Sequence, residues 1–205
     1  MLNTQTQLED TLSARYRRVR EVTLSLIEGL QPEDSVVQTM PDVSPTKWHL
    51  AHVTWFFERF VLEPCLKNYA RFDDRYHYIF KSYYYTVGSM HARPRRGLLS
   101  RPTLERVLES RSYVDTAMQQ LLQTRGADAE VAQLTTLGLN HEQQHQELLL
   151  TDIKHVFSCN PLKPAVRPSL PVPPGSPSSA YSFAAGKSGI HRIGADGDAF
   201  FFDNE

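Results

Sequence analysis

ADAEVAQLTTLGLNHEQQHQELLLTDIKHVFSCN, residues 127–160, runs without a proline until Asn160-Pro161 stops it. Within it Leu134, Leu137, His141, His145 and Leu148 recur at steps of three and four, which draws one stripe along an α-helix. A helix from about Ala127 to Phe157 is expected, with two imidazoles aimed at whatever packs against it. A helix this long needs partners to bury its stripe, and the preceding sequence supplies three. Thr103 reads as the N-cap of a helix whose buried face is Leu104, Val107, Leu108, Val114, Met118, Leu121 and Leu122, ending near Arg125-Gly126. Ser44-Pro45 reads as an N-cap followed by a first-turn proline, opening a helix to about Leu62, where Pro64 stops it. Leu8, Leu12, Val19, Val22, Leu26 and Leu30 stripe a further helix over residues 5–30. Between the second and third helices, residues 68–101 are rich in tyrosine, glycine and proline and read as a long ordered loop. The expectation is an all-α four-helix bundle with one long crossover, spanning residues 1–160.

Downstream the composition changes. Seven of the 13 prolines fall between Pro161 and Pro177, so residues 161–188 read as an extended, Pro-rich connector. Residues 189–205, GIHRIGADGDAFFFDNE, alternate aromatic and polar character with Gly-Asp turn signals, as the opening of a β-rich module does. So few residues form no stable sheet, and the expectation is a truncated second domain.

Whole-chain composition narrows the function classes. The 22 Lys plus Arg balance 23 Asp plus Glu, a formal charge of -1, which argues against nucleic acid or an anionic membrane as partner. Two cysteines, Cys65 and Cys159, make neither a disulfide framework nor a zinc cluster, as in a reducing compartment such as the cytoplasm. The N-terminus has no apolar signal region, and no stretch approaches the ~20 apolar residues of a membrane span.

The chemistry-bearing motif is HEQQHQE, residues 141–147. His141 and His145 stand on one helical face about 6 Å apart, close enough to share a metal ion. The alternative is a pair of core histidines hydrogen-bonded to neighbours. The second helix carries WHLAHVTWFFE, and His49 or His52 there can complete a three-histidine set; periodicity does not separate the two. Glu142 and Glu147 are rotated off the His141/His145 face, and Asp152 returns to it about 16 Å further along, so no carboxylate joins both histidines. Imidazoles suit Fe, Zn, Ni or Cu alike. HARPRRGLLSRP, residues 91–102, reads either as a solvated face or as a carboxylate clamp. The run Tyr83 to Tyr85 reads as packing.

SPTKWHLAHVTWFFERFVLEP, the SYYYTVG and RPRRGLLSRPT segments, NHEQQHQELLLTDIKH and IGADGDAFFFDNE, in this order, closely resemble the sulfoxide synthases of ergothioneine biosynthesis. The resemblance covers the chain from about residue 10. It implies a DinB-like four-helix bundle fused to a C-type-lectin-like domain of the formylglycine-generating-enzyme type. It also implies a mononuclear non-haem Fe(II) oxygenase that uses O2 to join γ-glutamylcysteine or cysteine to the imidazole of trimethylhistidine (hercynine). By this resemblance the iron ligands are His52, His141 and His145; Gln144 approaches the betaine's imidazole, and Arg93 and Arg96 bind the thiol substrate's carboxylate. The family's catalytic tyrosine lies beyond residue 205, so no residue here takes that role, and the chain is expected to hold metal without turning over alone. Zn, Ni or another divalent ion fits the same ligands. The rival readings are a DinB-type metal-dependent thiol transferase, a bundle whose metal is purely structural, and, within the class, the ovothiol-type sulfoxide synthase acting on histidine and cysteine.

Overall fold

The computed structural model describes residues 11–82, 88–167, 181–194 and 201, and every regular element among them is helical. Thr11 opens α1 (Leu12–Leu26): its backbone is extended and its Oγ1 accepts from the Ala14 N–H at 3.2 Å. The helix ends at Leu26, short of the expected residue 30, and Gly29 at φ +90° turns the chain away. Its buried face also differs from the apolar stripe. Tyr16, Arg20 and Thr23 are buried, whereas Val22 is 41% exposed.

Helix α2 (Thr46–Phe57) is buried at all twelve positions, which makes it the axis of the bundle and explains why its sequence shows no polar face. Ser44 does not cap it. Pro45 occupies the cap position with extended backbone, and the Ser44 hydroxyl accepts from Arg96 instead. Nor does Pro64 end it: the chain continues through a π-helical segment, Glu58–Leu62, and a last turn, Glu63–Cys65. Pro64 has no N–H for the carbonyl one turn back, and the wider turn, in which the Glu63 N–H reaches the Glu58 carbonyl, accommodates it.

The crossover contains a short helix, α3 (Tyr76–Ile79), and a 3₁₀ segment, Arg93–Leu98; Tyr83 to Tyr85 lie outside the described residues. It is pinned to α2. Lys47 Nζ donates to the carbonyls of Leu99 (2.7 Å) and Pro102 (2.9 Å), and Trp48 Nε1 donates to the Ile79 carbonyl at 3.0 Å. Helix α4 (Leu104–Arg125) starts and stops as expected, with Thr103 Oγ1 accepting from the Arg106 N–H. Helix α5 (Ala129–Cys159) terminates at Asn160, before Pro161.

Helix α2 packs against α4 and α5, and α1 against α5. The α2/α5 crossing is close because of Gly138: a Cβ there would meet Phe57 Cε1 at 2.5 Å. One core cluster gathers Tyr16, Phe57, Leu62, Met118, Leu121 and Leu139; another gathers Trp48, Leu50, Trp55, Phe56, Phe80 and Leu149. Leu148, expected on the buried stripe of α5, is 41% exposed, and Leu149 takes the core position. The chain divides into two units, Met1–Val166 and Arg167–Glu205. In the second, residues 181–194 carry neither helix nor strand, and most of the stretch read as a β-rich opening lies outside the described residues. No described helix is long and apolar enough to cross a membrane.

Candidate metal centre

The α2/α5 crossing brings His52, His141 and His145 together. One nitrogen or another of each ring lies within 4.8 Å of those of the other two, and the ring centroids are 4.7–5.0 Å apart. Imidazole nitrogens bound at roughly 2.1 Å to one ion lie at most about 4.2 Å from each other, so small ring rotations suffice to close the three around a single ion.

Each ring is held. His52 stacks on Trp48 (4.5 Å, 13°) and on Trp55 (5.6 Å, 19°), and its Nδ1 is 2.6 Å from the Phe80 carbonyl. A carbonyl only accepts, so Nδ1 carries the proton and Nε2 keeps the lone pair that a metal needs. His141 packs on Phe56 at 4.7 Å, and its Nδ1 is buried without a hydrogen-bond partner. A buried ring nitrogen with no hydrogen-bond partner, beside two other imidazoles, fits a metal-ligand position. Burial pushes His141 down to about 4, and burial together with the neighbouring rings holds His52 and His145 well below the usual imidazole range. All three are therefore neutral at pH 7, the form that coordinates.

His49, the competing candidate, is not one of the three. It is 3% exposed and lies between His145 and Asp152: its Nδ1 is 2.9 Å from His145 Nδ1 and its Nε2 is 3.0 Å from Asp152 Oδ2. Asp152 thus reaches His145 through a fourth imidazole, that of His49, which axial spacing alone did not show.

Residues 15–149 match the DinB superfamily. The chain belongs to the DinB superfamily. No curated protein matches it. The match spans α1 to α5 and includes all three histidines, so the bundle and its candidate metal centre are parts of one DinB domain.

Within this DinB domain a buried ion network fixes the rotation of α5. Glu142, next to His141, is fully buried and accepts from Arg20 Nη1 (2.9 Å), Arg111 Nη2 (2.5 Å) and Thr23 Oγ1 (2.6 Å). Burial alone raises its carboxyl, but Arg111 and Arg20 more than offset this and hold it at about 2. Arg20 also bonds Asp115 at 2.7 Å and Thr54 at 3.2 Å, so α1, α2, α4 and α5 all contribute. Apolar periodicity missed Glu142 and Arg111. The signal was the spacing of Glu142 from Val131, Thr135 and Gly138 on one side and Leu149 and Ile153 on the other, a stripe of period 3.6 into which Glu142 falls.

The Arg96 guanidinium lies 3.3 Å from the centroid of the Trp48 ring and donates to Ser44 Oγ (2.8 Å) and Ser82 Oγ (3.1 Å). It is buried, and its charge acts on His49, His52 and His145. Arg93 is half-buried, donates to the Asp42 carbonyl and acts on His49. Gln144 and Glu147 are exposed on α5; neither is among the three grouped histidines.

Proposed function

We propose that this DinB domain holds Fe(II) on His52, His141 and His145 and is the metal-binding part of an O2-dependent sulfoxide synthase. The reaction joins a thiol, γ-glutamylcysteine or cysteine, to the imidazole C2 of trimethylhistidine (hercynine). The observation that carries the reading is the convergence of three neutral imidazoles, one from α2 and two from α5, with no carboxylate among them. It is supported by the order and spacing of the sequence blocks that resemble this enzyme family.

When bound, the ion lowers the pKa of a coordinated thiol and supplies the O2 chemistry. The chain's own residues position and exclude water. Trp48 and Trp55 clamp His52, and Phe56 packs on His141, so these two buried ligand rings are preorganised and shielded from solvent. Arg96 and Arg93 set positive charge near the histidines, where a substrate carboxylate is attracted and oriented. Gln144, exposed on α5 one residue before His145, is assigned to the substrate's imidazole by the family resemblance alone.

The test is titration of trimethylhistidine into the Fe(II)-loaded and the metal-free chain under anaerobic conditions. Binding that requires Fe(II) and weakens in Gln144→Ala is expected. No binding in either form contradicts the reading. A Zn(II)-loaded chain that transfers a thiol without consuming O2 replaces it with a DinB-type thiol transferase.

A further inference from the structure

Two hydrogen bonds link the candidate centre to a carboxylate outside it. Asp152 Oδ2 lies 3.0 Å from His49 Nε2, and His49 Nδ1 lies 2.9 Å from His145 Nδ1. An ionised carboxylate only accepts, so the His49 proton is on Nε2. A neutral His49 then presents a lone pair at Nδ1, and the facing His145 Nδ1 must donate to it. That leaves the lone pair of His145 on Nε2. The reverse order would set the His49 Nε2 lone pair against the Asp152 carboxylate, acceptor against acceptor, and would place the His145 proton on the nitrogen that a metal requires. His145 Nδ1 is also blocked as a ligand by His49 itself.

We propose that Asp152 and His49 are positioning residues of the metal centre: their hydrogen-bonded chain holds His145 as the Nδ1–H tautomer, directs coordination to Nε2, and raises the affinity of the site. This rests on the three-histidine reading above. The chain begins firmly, because Asp152 Oδ2 also accepts the Ser44 N–H at 2.7 Å and Ser44 Oγ in turn accepts from Arg96. It is sheltered, with the His49 side chain 4% and the Asp152 side chain 14% exposed. A carboxylate that orients a ligand histidine makes it a better donor and spares the ion the cost of selecting a tautomer; here a second imidazole extends the reach of the carboxylate by one ring. The arrangement parallels His52, whose tautomer is set by the Phe80 carbonyl.

The experiment uses Zn(II), which is diamagnetic and suits imidazole ligands. Its affinity is measured by competition with a chromophoric chelator for the wild-type chain, His49→Phe, Asp152→Asn and His141→Ala. Nitrogen NMR of ¹⁵N-histidine-labelled protein, with and without Zn(II), reads the tautomer. His49→Phe is expected to bind Zn(II) about 10–100-fold more weakly. Asp152→Asn keeps an acceptor for the Ser44 N–H and His49 but removes the charge, so it shows a smaller loss in a chain whose circular dichroism is unchanged. In the wild type, His145 keeps its proton on Nδ1 before and after Zn(II) is added. His145 bound through Nδ1 overturns the proposal, as do wild-type affinities in both variants while His141→Ala loses the ion. If the wild type binds no Zn(II), the three-histidine reading fails separately, and the tautomer of His145 in the metal-free chain decides the relay alone.

Discussion

His141 and Glu142 are adjacent, yet one faces two other imidazoles and the other is locked between two arginines. The step of about 100° between neighbours on a helix sends them into different environments, so the ion network sets where the histidine points. Removing the carboxylate leaves Arg20 and Arg111 buried and unpaired by it. Glu142→Ala is therefore expected to cost about 3–5 kcal/mol in a urea titration, and a cost under about 1 kcal/mol would show that the network does not hold α5. At this scale the sequence was half legible. The His141/His145 pair is visible from spacing, but the choice of His52 over His49 came from family resemblance, because an all-buried helix offers no polar face to phase it. Arg20, Arg111 and Glu142 stayed hidden because a reading that follows apolar residues passes over polar ones that are buried with partners.

Among the elements, α4 and α5 were legible nearly to their ends, since each carries a long stripe with clear punctuation at Thr103, Gly126 and Pro161. Helix α2 was not, because the π-helical segment that carries the chain past Pro64 depends on packing rather than on local sequence. At Gly138 a methyl group would collide with the ring of Phe57, so Gly138→Ala should destabilise the bundle by about 1–3 kcal/mol, seen as a lower melting temperature; an unchanged value would mean that α2 and α5 separate freely. Lys47 holds the crossover by its carbonyls at Leu99 and Pro102. Lys47→Met should leave helix content unchanged while speeding proteolytic cleavage within residues 88–102, and equal cleavage rates would show that the crossover is held by other contacts.

For the molecule as a whole, the core cluster of Tyr16, Phe57, Leu62, Met118, Leu121 and Leu139 contains none of the rings that pack on the histidines, so the fold should survive metal removal. Chelation is expected to leave the helical circular dichroism intact. At a metal concentration 100 times its Kd, binding adds about 2.7 kcal/mol, or about 5–10 °C in a chain of this size; collapse of the helical signal on chelation would instead make the metal structural. The bundle was readable in outline because three striped helices, a fourth that is largely apolar along its length and one long crossover leave few other ways to bury the apolar surface. The Pro-rich and aromatic C-terminal stretches carry no such periodic constraint. The most direct test of the central claim is an anaerobic Fe(II) titration of the metal-free chain, wild type beside His52→Ala, His141→Ala and His145→Ala. The account predicts one ion per chain and a loss of more than about 100-fold in affinity in each variant. Equal binding by the wild type and the three variants would contradict it, and would return these histidines to the core of the bundle.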